Sequence, residues 1–191
     1  MARYPLVVWK DPTTTLEAEL FTHITREEFM LTEAKWRAFK DLNCPDPRNP
    51  PSNHHWDWNK KSSLHVGAVH KFLALKYAGE VEGMAELSLI PRFSKNPATL
   101  GQPVLYVEYL ETAPWNQKAY AGRNRRFLGV GTCLITIATE ESYRCGCEGR
   151  LALHSLDEAR SFYMDQGFIN LGFDPIETLD YFELHDVVLE K

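Results

Sequence analysis

The chain of 191 residues carries 21 Lys+Arg against 26 Asp+Glu, a formal net charge of −5, with 44% hydrophobic and 12% aromatic residues. At this length and composition a single core buries roughly 70% of the surface exposed by the unfolded chain, so neither a disulfide scaffold nor a structural metal is required. The acidic balance argues against a protein that coats nucleic acid, while leaving room for a local basic patch.

Four cysteines, Cys44, Cys133, Cys145 and Cys147, form no CxxC pair, which speaks against a zinc ribbon and for reduced thiols. The apolar run near the N-terminus is too short for a signal peptide, and no stretch approaches the ~20 apolar residues of a membrane span. A cytoplasmic chain with no membrane partner is expected.

Leu6 to Trp9, bounded by Pro5 and Pro12, predicts a first strand. Thr25 and Glu28 have capping-box spacing, and Phe29, Trp36 and Phe39 follow at helical intervals, so a helix runs until Asn43, ahead of Pro45 and Pro47. Residues 45–59, with four prolines, two histidines and two tryptophans, read as a stiff aromatic loop. Lys71 to Tyr77 and Val81 to Ile90 predict two strands joined by a turn at Gly79. Val104 to Thr112 is the clearest strand of the chain.

Gly129 to Arg144 predicts a helix, and Arg150 to His154 a short strand. Ser155 and Glu158 suggest another capping box, opening a helix that closes at Gly167. Phe168 to Phe173 and Tyr181 to Leu189 read as the last strands. Mixed order of this kind fits a single α/β (α+β) domain over residues 1–191 with one sheet, and no internal repeat or boundary is visible.

The segment Arg126–Phe127–Leu128–Gly129–Val130–Gly131 lies between the strong strand and the long helix. Glycines there let a ligand approach the backbone, and the unpaired N–H groups of a helix start attract an anion such as a pyrophosphate. The string is neither a P-loop nor a dinucleotide fingerprint, because no Gly-Lys-Ser/Thr follows and position 134 is Leu. Between Thr112 and Thr139 there is no Asp or Glu, yet Lys118, Arg123, Arg125 and Arg126 fall in that window.

A second string, Ala159–Arg160–Ser161–Phe162–Tyr163–Met164–Asp165–Gln166–Gly167–Phe168, follows the next strand. Together the two resemble the GNAT superfamily of N-acetyltransferases, which carries Q/R-x-x-G-x-G/A at its acetyl-CoA helix and, further on, A-x-x-φ-Y-x-x-x-G-F, with φ apolar. Leu110–Glu111–Thr112–Ala113–Pro114 resembles the family's L-x-V-x-P segment. The likeness spans about residues 70–173, a CoA-binding core, and fades over residues 1–65, which would form the acceptor side.

The resemblance implies a GNAT-like mixed, mostly antiparallel sheet, splayed between the Val104–Thr112 and Arg150–His154 strands, with helices on both faces. It further implies acetyl-CoA as co-substrate; no metal is expected, because no set of spaced ligands is present. Backbone groups of Leu110 and Thr112 would pair with the pantetheine arm. The amides of Gly129, Val130, Gly131 and Thr132 would hold the pyrophosphate, with Arg126 adding a charge-assisted contact. Two departures stand out: Leu156 occupies a position where family members often have Asn, and Trp115 to Arg125 is an insertion near the cofactor or acceptor entrance.

Acyl transfer to an amine needs a base for an ammonium of pKa near ~10.4 and a donor for a thiolate whose thiol has a pKa near ~8.5. Tyr163 matches the family's general-acid tyrosine, the alternative being a packing role in the helix–sheet layer. Glu108, on the strand face of Tyr106, Leu110 and Thr112, is the candidate base, the alternative being a carboxylate paired with a neighbouring arginine. A backbone N–H near Leu110 would hold the oxyanion.

His55, Trp56 and Trp58 are candidates for an acceptor-site wall; His54, His55 and Asp57 offer another base or a fragment of a metal site, for which no further clearly spaced ligand is present. Cys145 and Cys147 read as structural, and His154 as a core residue. The expected function is N-acetylation of a primary amine on a small molecule or protein, with no nucleic-acid partner and with homodimerisation left open. The alternative is a CoA-binding sensor or interaction module without turnover.

Overall fold

The structure, a computed structural model, describes residues 2–8, 11–64 and 69–185. Its elements are β1 (Arg3–Val8), β2 (Asp11–Phe21), α1 (Arg26–Leu42), α2 (Trp58–Leu64), β3 (His70–Tyr77), β4 (Glu80–Phe93), β5 (Pro103–Thr112), α3 (Lys118–Ala121), β6 (Phe127–Leu128), α4 (Val130–Arg144), β7 (Leu151–Ser155), α5 (Arg160–Asp165), β8 (Ile169–Asp174) and β9 (Leu179–Leu184). The strands form one open, mostly antiparallel sheet in the order β6-β1-β2-β3-β4-β5-β7-β9-β8. By compactness the chain divides into two units, Met1–Ala85 with Leu110–Leu134, and Glu86–Tyr109 with Ile135–Lys191.

In the first unit, β1 and β2 pair antiparallel with Leu6 opposite Leu16, burying Leu6 and Ala18. The sequence reading missed β2, whose side chains are mostly half-buried or exposed and give weak hydrophobic alternation. It also missed α2, which starts at Trp58 within the segment taken as irregular. There the Asp57 carboxylate caps the helix by accepting from Lys60 N–H at 2.8 Å, and the Trp58 N–H donates to the Glu33 carboxylate at 2.9 Å, so a side chain from α1 satisfies a second donor of the helix start.

The α1 capping box forms as expected, with Glu28 N–H donating to Thr25 Oγ1 and Thr25 N–H to Glu28 Oε2. Phe29 packs edge-on against Phe72, and Trp36 does so against Trp58 and Trp115. Lys76 also binds Glu28. Its ammonium, followed by the Thr25 N–H, lowers the Glu28 carboxyl from 4.5 to about 2. A depressed folded-state pKa gives stability that is present above the unfolded value and is lost as pH falls through the folded one. The advantage of the wild type over Glu28→Gln in thermal unfolding is therefore expected to vanish between about pH 4.5 and 2.

The β3–β4 hairpin turns on Ala78 and Gly79, with φ of 50° and 80°, the pair of left-handed residues that a tight two-residue hairpin turn demands. Further along β4, a Cβ built on Gly83 would lie 2.7 Å from Val130 Cγ1 and 3.0 Å from Leu134 Cδ1. The start of α4 thus rests directly on the strand. Gly83→Ala is expected to destabilise by about 1–2 kcal/mol through overpacking against a β-branched side chain that is stiff in a helix, measured by urea unfolding.

In the second unit β7 pairs antiparallel with β9 along Leu151–Ser155, and β8 pairs with β9 across a register shift near Gly172. Leu151, Leu153, Phe182 and Leu184 are buried. The expected Ser155–Glu158 capping box does not form. Ser155 is still the last residue of β7, opposite Asp180, and its hydroxyl donates to the Leu156 carbonyl. The chain then opens α5 through a single turn at Asp157–Ala159 with no side-chain cap. At its other end, Gly167 at φ 87° lets Phe168 N–H return to the Tyr163 carbonyl at 3.0 Å. β9 ends at Leu184, and residues 186–189 of the expected last strand lie outside the described residues.

Candidate functional site

The second unit holds the junction between β5 and β7. These strands run parallel but pair only at Leu105↔Leu151 and Tyr106↔Ala152, although β5 continues to Thr112 and β7 to Ser155. Beyond the two pairs, residues 107–109 and 153–155 no longer pair with each other. Their inward edges carry backbone N–H and C=O groups that need partners.

Glu108 follows the last pair. Its carboxylate, 22% exposed, meets Arg92 Nη2 at 3.1 Å, and the same guanidinium lies 3.6 Å above the Tyr106 ring. The arginine alternative for Glu108 is therefore present in the structure, and Tyr106 and Glu108 share a face. Tyr163 on α5 is 7% exposed among the rings of Phe162, Phe168 and Phe182. Burial pushes its phenol well above the ordinary value, so the hydroxyl keeps its proton at neutral pH and can only donate or share it.

The first unit carries the glycine-bearing turn. Gly129 is exposed at φ 79°, and a Cβ there would meet nothing within 4 Å. The glycine is required by backbone conformation and not by crowding. The first helical hydrogen bond of α4 is from Cys133 N–H to the Gly129 carbonyl, so the N–H groups of Val130, Gly131 and Thr132 precede the helical ladder and mark its positive end.

Arg126 departs from expectation. Its guanidinium is held by Glu80 at 2.5 Å and Glu82 at 2.9 Å, where an anionic ligand was expected. It borders a groove of about 440 Å³ walled by Phe39, Leu42 and Trp115, with Lys35 and Glu80 beside it. Glu82 is buried, and desolvation raises its carboxyl despite hydrogen bonds from Trp115 Nε1 and Asn116 Nδ2 at 2.8 Å each.

Asn116 Oδ1 in turn accepts from Phe127 N–H, so the insertion Trp115 to Arg125 is fastened at its base onto β4. The Thr112 carbonyl, expected to face pantetheine, accepts from Gln117 Nε2 at 2.6 Å. One of its two lone pairs is thereby committed. Leu110 and Thr112 are both half-buried.

The loop at residues 45–59 is organised from α1. Arg37 donates to the carbonyls of His54 and Trp56, and Lys40 to that of Asn53. Lys40 is also ion-paired with Glu111 at 2.7 Å, both side chains being 1% exposed. Glu111 further accepts from Asn53 Nδ2 at 2.9 Å and Trp58 Nε1 at 2.6 Å.

Trp58, expected on an acceptor wall, is fully buried, so its indole supports the loop from beneath and offers a ligand no surface. His55 is exposed, and Trp56 is half-buried with the Lys61 ammonium 4.8 Å from its ring. His54 bridges Asp41 and the Tyr120 hydroxyl at 3.3 and 3.2 Å.

Composition and motif spacing gave no sign of the Glu111 network or the Glu80–Glu82–Arg126 cluster, and left the arginine beside Glu108 unnamed until the structure placed Arg92 there. The one local hint was Lys40, four residues after Trp36 on the stripe of α1 begun by Phe29. Among the described residues no three His, Cys, Asp or Glu side chains are placed to hold a metal, and no helix is long and apolar enough to cross a membrane.

No family model matches the sequence, and no curated protein resembles it in sequence. Solved structures resemble it in fold. A protein assigned to the GNAT acetyltransferase family from Desulfovibrio desulfuricans superposes with a TM-score of 0.56 at 14% identity, covering 88% of this chain and 98% of the other. The chain has the GNAT fold. PaiA N-acetyltransferase from Thermoplasma acidophilum, solved in complex with coenzyme A, matches with a TM-score of 0.55 at 14% identity over 90% of this chain and all of its own. An acetyltransferase from Thermus thermophilus matches at 0.52 and 17% identity, covering 88% and 97%. Identities this low establish the GNAT fold and leave the activity to be argued from the residues.

Proposed function

We propose that this GNAT-fold chain transfers an acetyl or other short acyl group from acetyl-CoA to a primary amine by direct attack. The observation that carries this reading is the early parting of β5 and β7 after two residue pairs. It leaves strand edges able to pair with an extended, amide-bearing ligand. The α4 start, with Gly129 beside open space and three N–H groups ahead of the helical ladder, fits a pyrophosphate.

Acetyl-CoA supplies an activated acyl group and a thiolate leaving group. The residues supply the remainder: Glu108 accepts a proton from the acceptor ammonium directly or through water, a backbone N–H near Leu110 stabilises the oxyanion, and Tyr163 donates to the departing sulfur. Because the Tyr163 phenol is a weaker acid than a thiol, it stabilises the thiolate chiefly as a hydrogen-bond donor.

A second reading, a CoA-binding sensor on the same fold, is favoured by one feature: Arg126 and Glu108 are both already engaged by side chains of opposite charge. Calorimetric titration with acetyl-CoA, followed by thiol release over a panel of aromatic amines, polyamines, peptide N-termini and lysine peptides, separates the readings. Binding with thiol release supports the enzyme, binding without release from any amine supports the sensor, and no binding at millimolar acetyl-CoA overturns both. Gly129→Val is expected to weaken acetyl-CoA binding at least tenfold, about 1.4 kcal/mol. Arg126→Ala is expected to change it by less than about threefold, roughly 0.6 kcal/mol, because its charge is held by Glu80 and Glu82.

A further inference from the structure

His154 stands on β7 two residues past the last backbone pair with β5. Its Nε2 lies 3.3 Å from Asp174 Oδ2 and its Nδ1 2.5 Å from the Tyr106 hydroxyl. Asp174 is held ionised, its carboxyl lowered to about 2 by the Ile176 N–H first and then by the Lys95 ammonium. A carboxylate can only accept, so His154 carries its proton on Nε2. Nδ1 is then the acceptor for the Tyr106 O–H. The ring is nearly enclosed, with Tyr181 at 5.0 Å between centroids.

Where the backbone ladder between β5 and β7 stops, a side-chain hydrogen bond continues the connection. Tyr106 carries the Arg92 guanidinium on its ring face, and Arg92 pairs with Glu108. The chain Asp174, His154, Tyr106, Arg92, Glu108 therefore runs from β8 through β7 and β5 to β4, and ends on the carboxylate assigned as base.

We propose that Asp174, His154 and Tyr106 form a clasp that fixes where β5 and β7 part and, through Arg92, holds Glu108 in its working position. On the acetyltransferase reading, on which this rests, His154 is a positioning residue for the transfer step. The charged and phenolic groups around the ring and its partners include Asp174, Tyr106, Tyr181, Lys95, Arg92 and Glu108, with Glu177 acting on Tyr106 and Glu183 on Tyr181.

The test compares His154→Phe, Tyr106→Phe, the double variant and His154→Asn in kcat and KM for acetyl-CoA. The 15N resonances of the wild-type imidazole are recorded alongside. His154→Phe and Tyr106→Phe should each lower kcat about tenfold, the scale of one buried hydrogen bond, with KM for acetyl-CoA unchanged.

The double variant should be no worse than either single one, because both remove the same bond. His154→Asn, which places an acceptor oxygen where Nδ1 stood, should recover most of the loss. Additive effects, or wild-type kcat in His154→Phe, overturn the clasp, as does a resonance pattern showing the proton on Nδ1. A wild type with the assigned tautomer but no turnover counts against the acetyltransferase reading and leaves the geometry of the clasp supported.

Discussion

Glu111→Ala is expected to lower stability by about 3–5 kcal/mol, the range found when one partner of a buried ion pair is removed. The reason lies in what remains: the Lys40 ammonium, 1% exposed, would keep only the Asn53 carbonyl as a partner in an apolar layer formed by Trp36 and Trp58. At this chain length, about 2–4 °C of midpoint accompanies each kcal/mol, so a fall of roughly 10 °C should be seen by calorimetry. Lys40→Met should cost less, because Glu111 would retain donors on Trp58 and Asn53. Lys40→Met combined with Glu111→Leu should be milder than Glu111→Ala, since no unpaired charge is left inside. A change under about 1 kcal/mol for Glu111→Ala would show that this network does not hold the loop on α1.

Tyr163→Phe is expected to reduce kcat about 100-fold, the lower end of what a positioned proton donor contributes. KM for acetyl-CoA should move less than about twofold, because the hydroxyl meets charge on sulfur that develops only as the thioester breaks. Folding should be almost unaffected. The phenyl ring keeps its contacts with Phe162, Phe168 and Phe182, and thermal unfolding of the variant provides the control. Unchanged turnover would return Tyr163 to a packing role.

What the sequence disclosed was local. The Thr25–Glu28 box, the turn at Ala78–Gly79, the long apolar β5 and the Gly167 closure of α5 each depend on residues a few positions apart, and the structure contains all of them. The misses came from partners distant in the chain. Ser155 and Glu158 had capping spacing, but pairing with β9 keeps Ser155 in a strand.

Arg126 sits in a window free of acidic residues, which made it look available to a ligand. Folding brings Glu80 and Glu82 to it from more than forty positions upstream. Trp58 looked like a surface aromatic within a polar loop, and the buried Glu111 takes its indole N–H. Charge read along a chain describes composition; charge around a side chain is decided by topology.

The course of the 45–59 loop is dictated by cations on α1 that grip main-chain oxygens of Asn53, His54 and Trp56. Every amino acid offers the same carbonyl, so the path of this segment is indifferent to the side chain carried at an exposed position such as His55. The helix thus acts as a frame into which different recognition surfaces can be fitted. Libraries randomised at His55 should keep their fold and thermal midpoint.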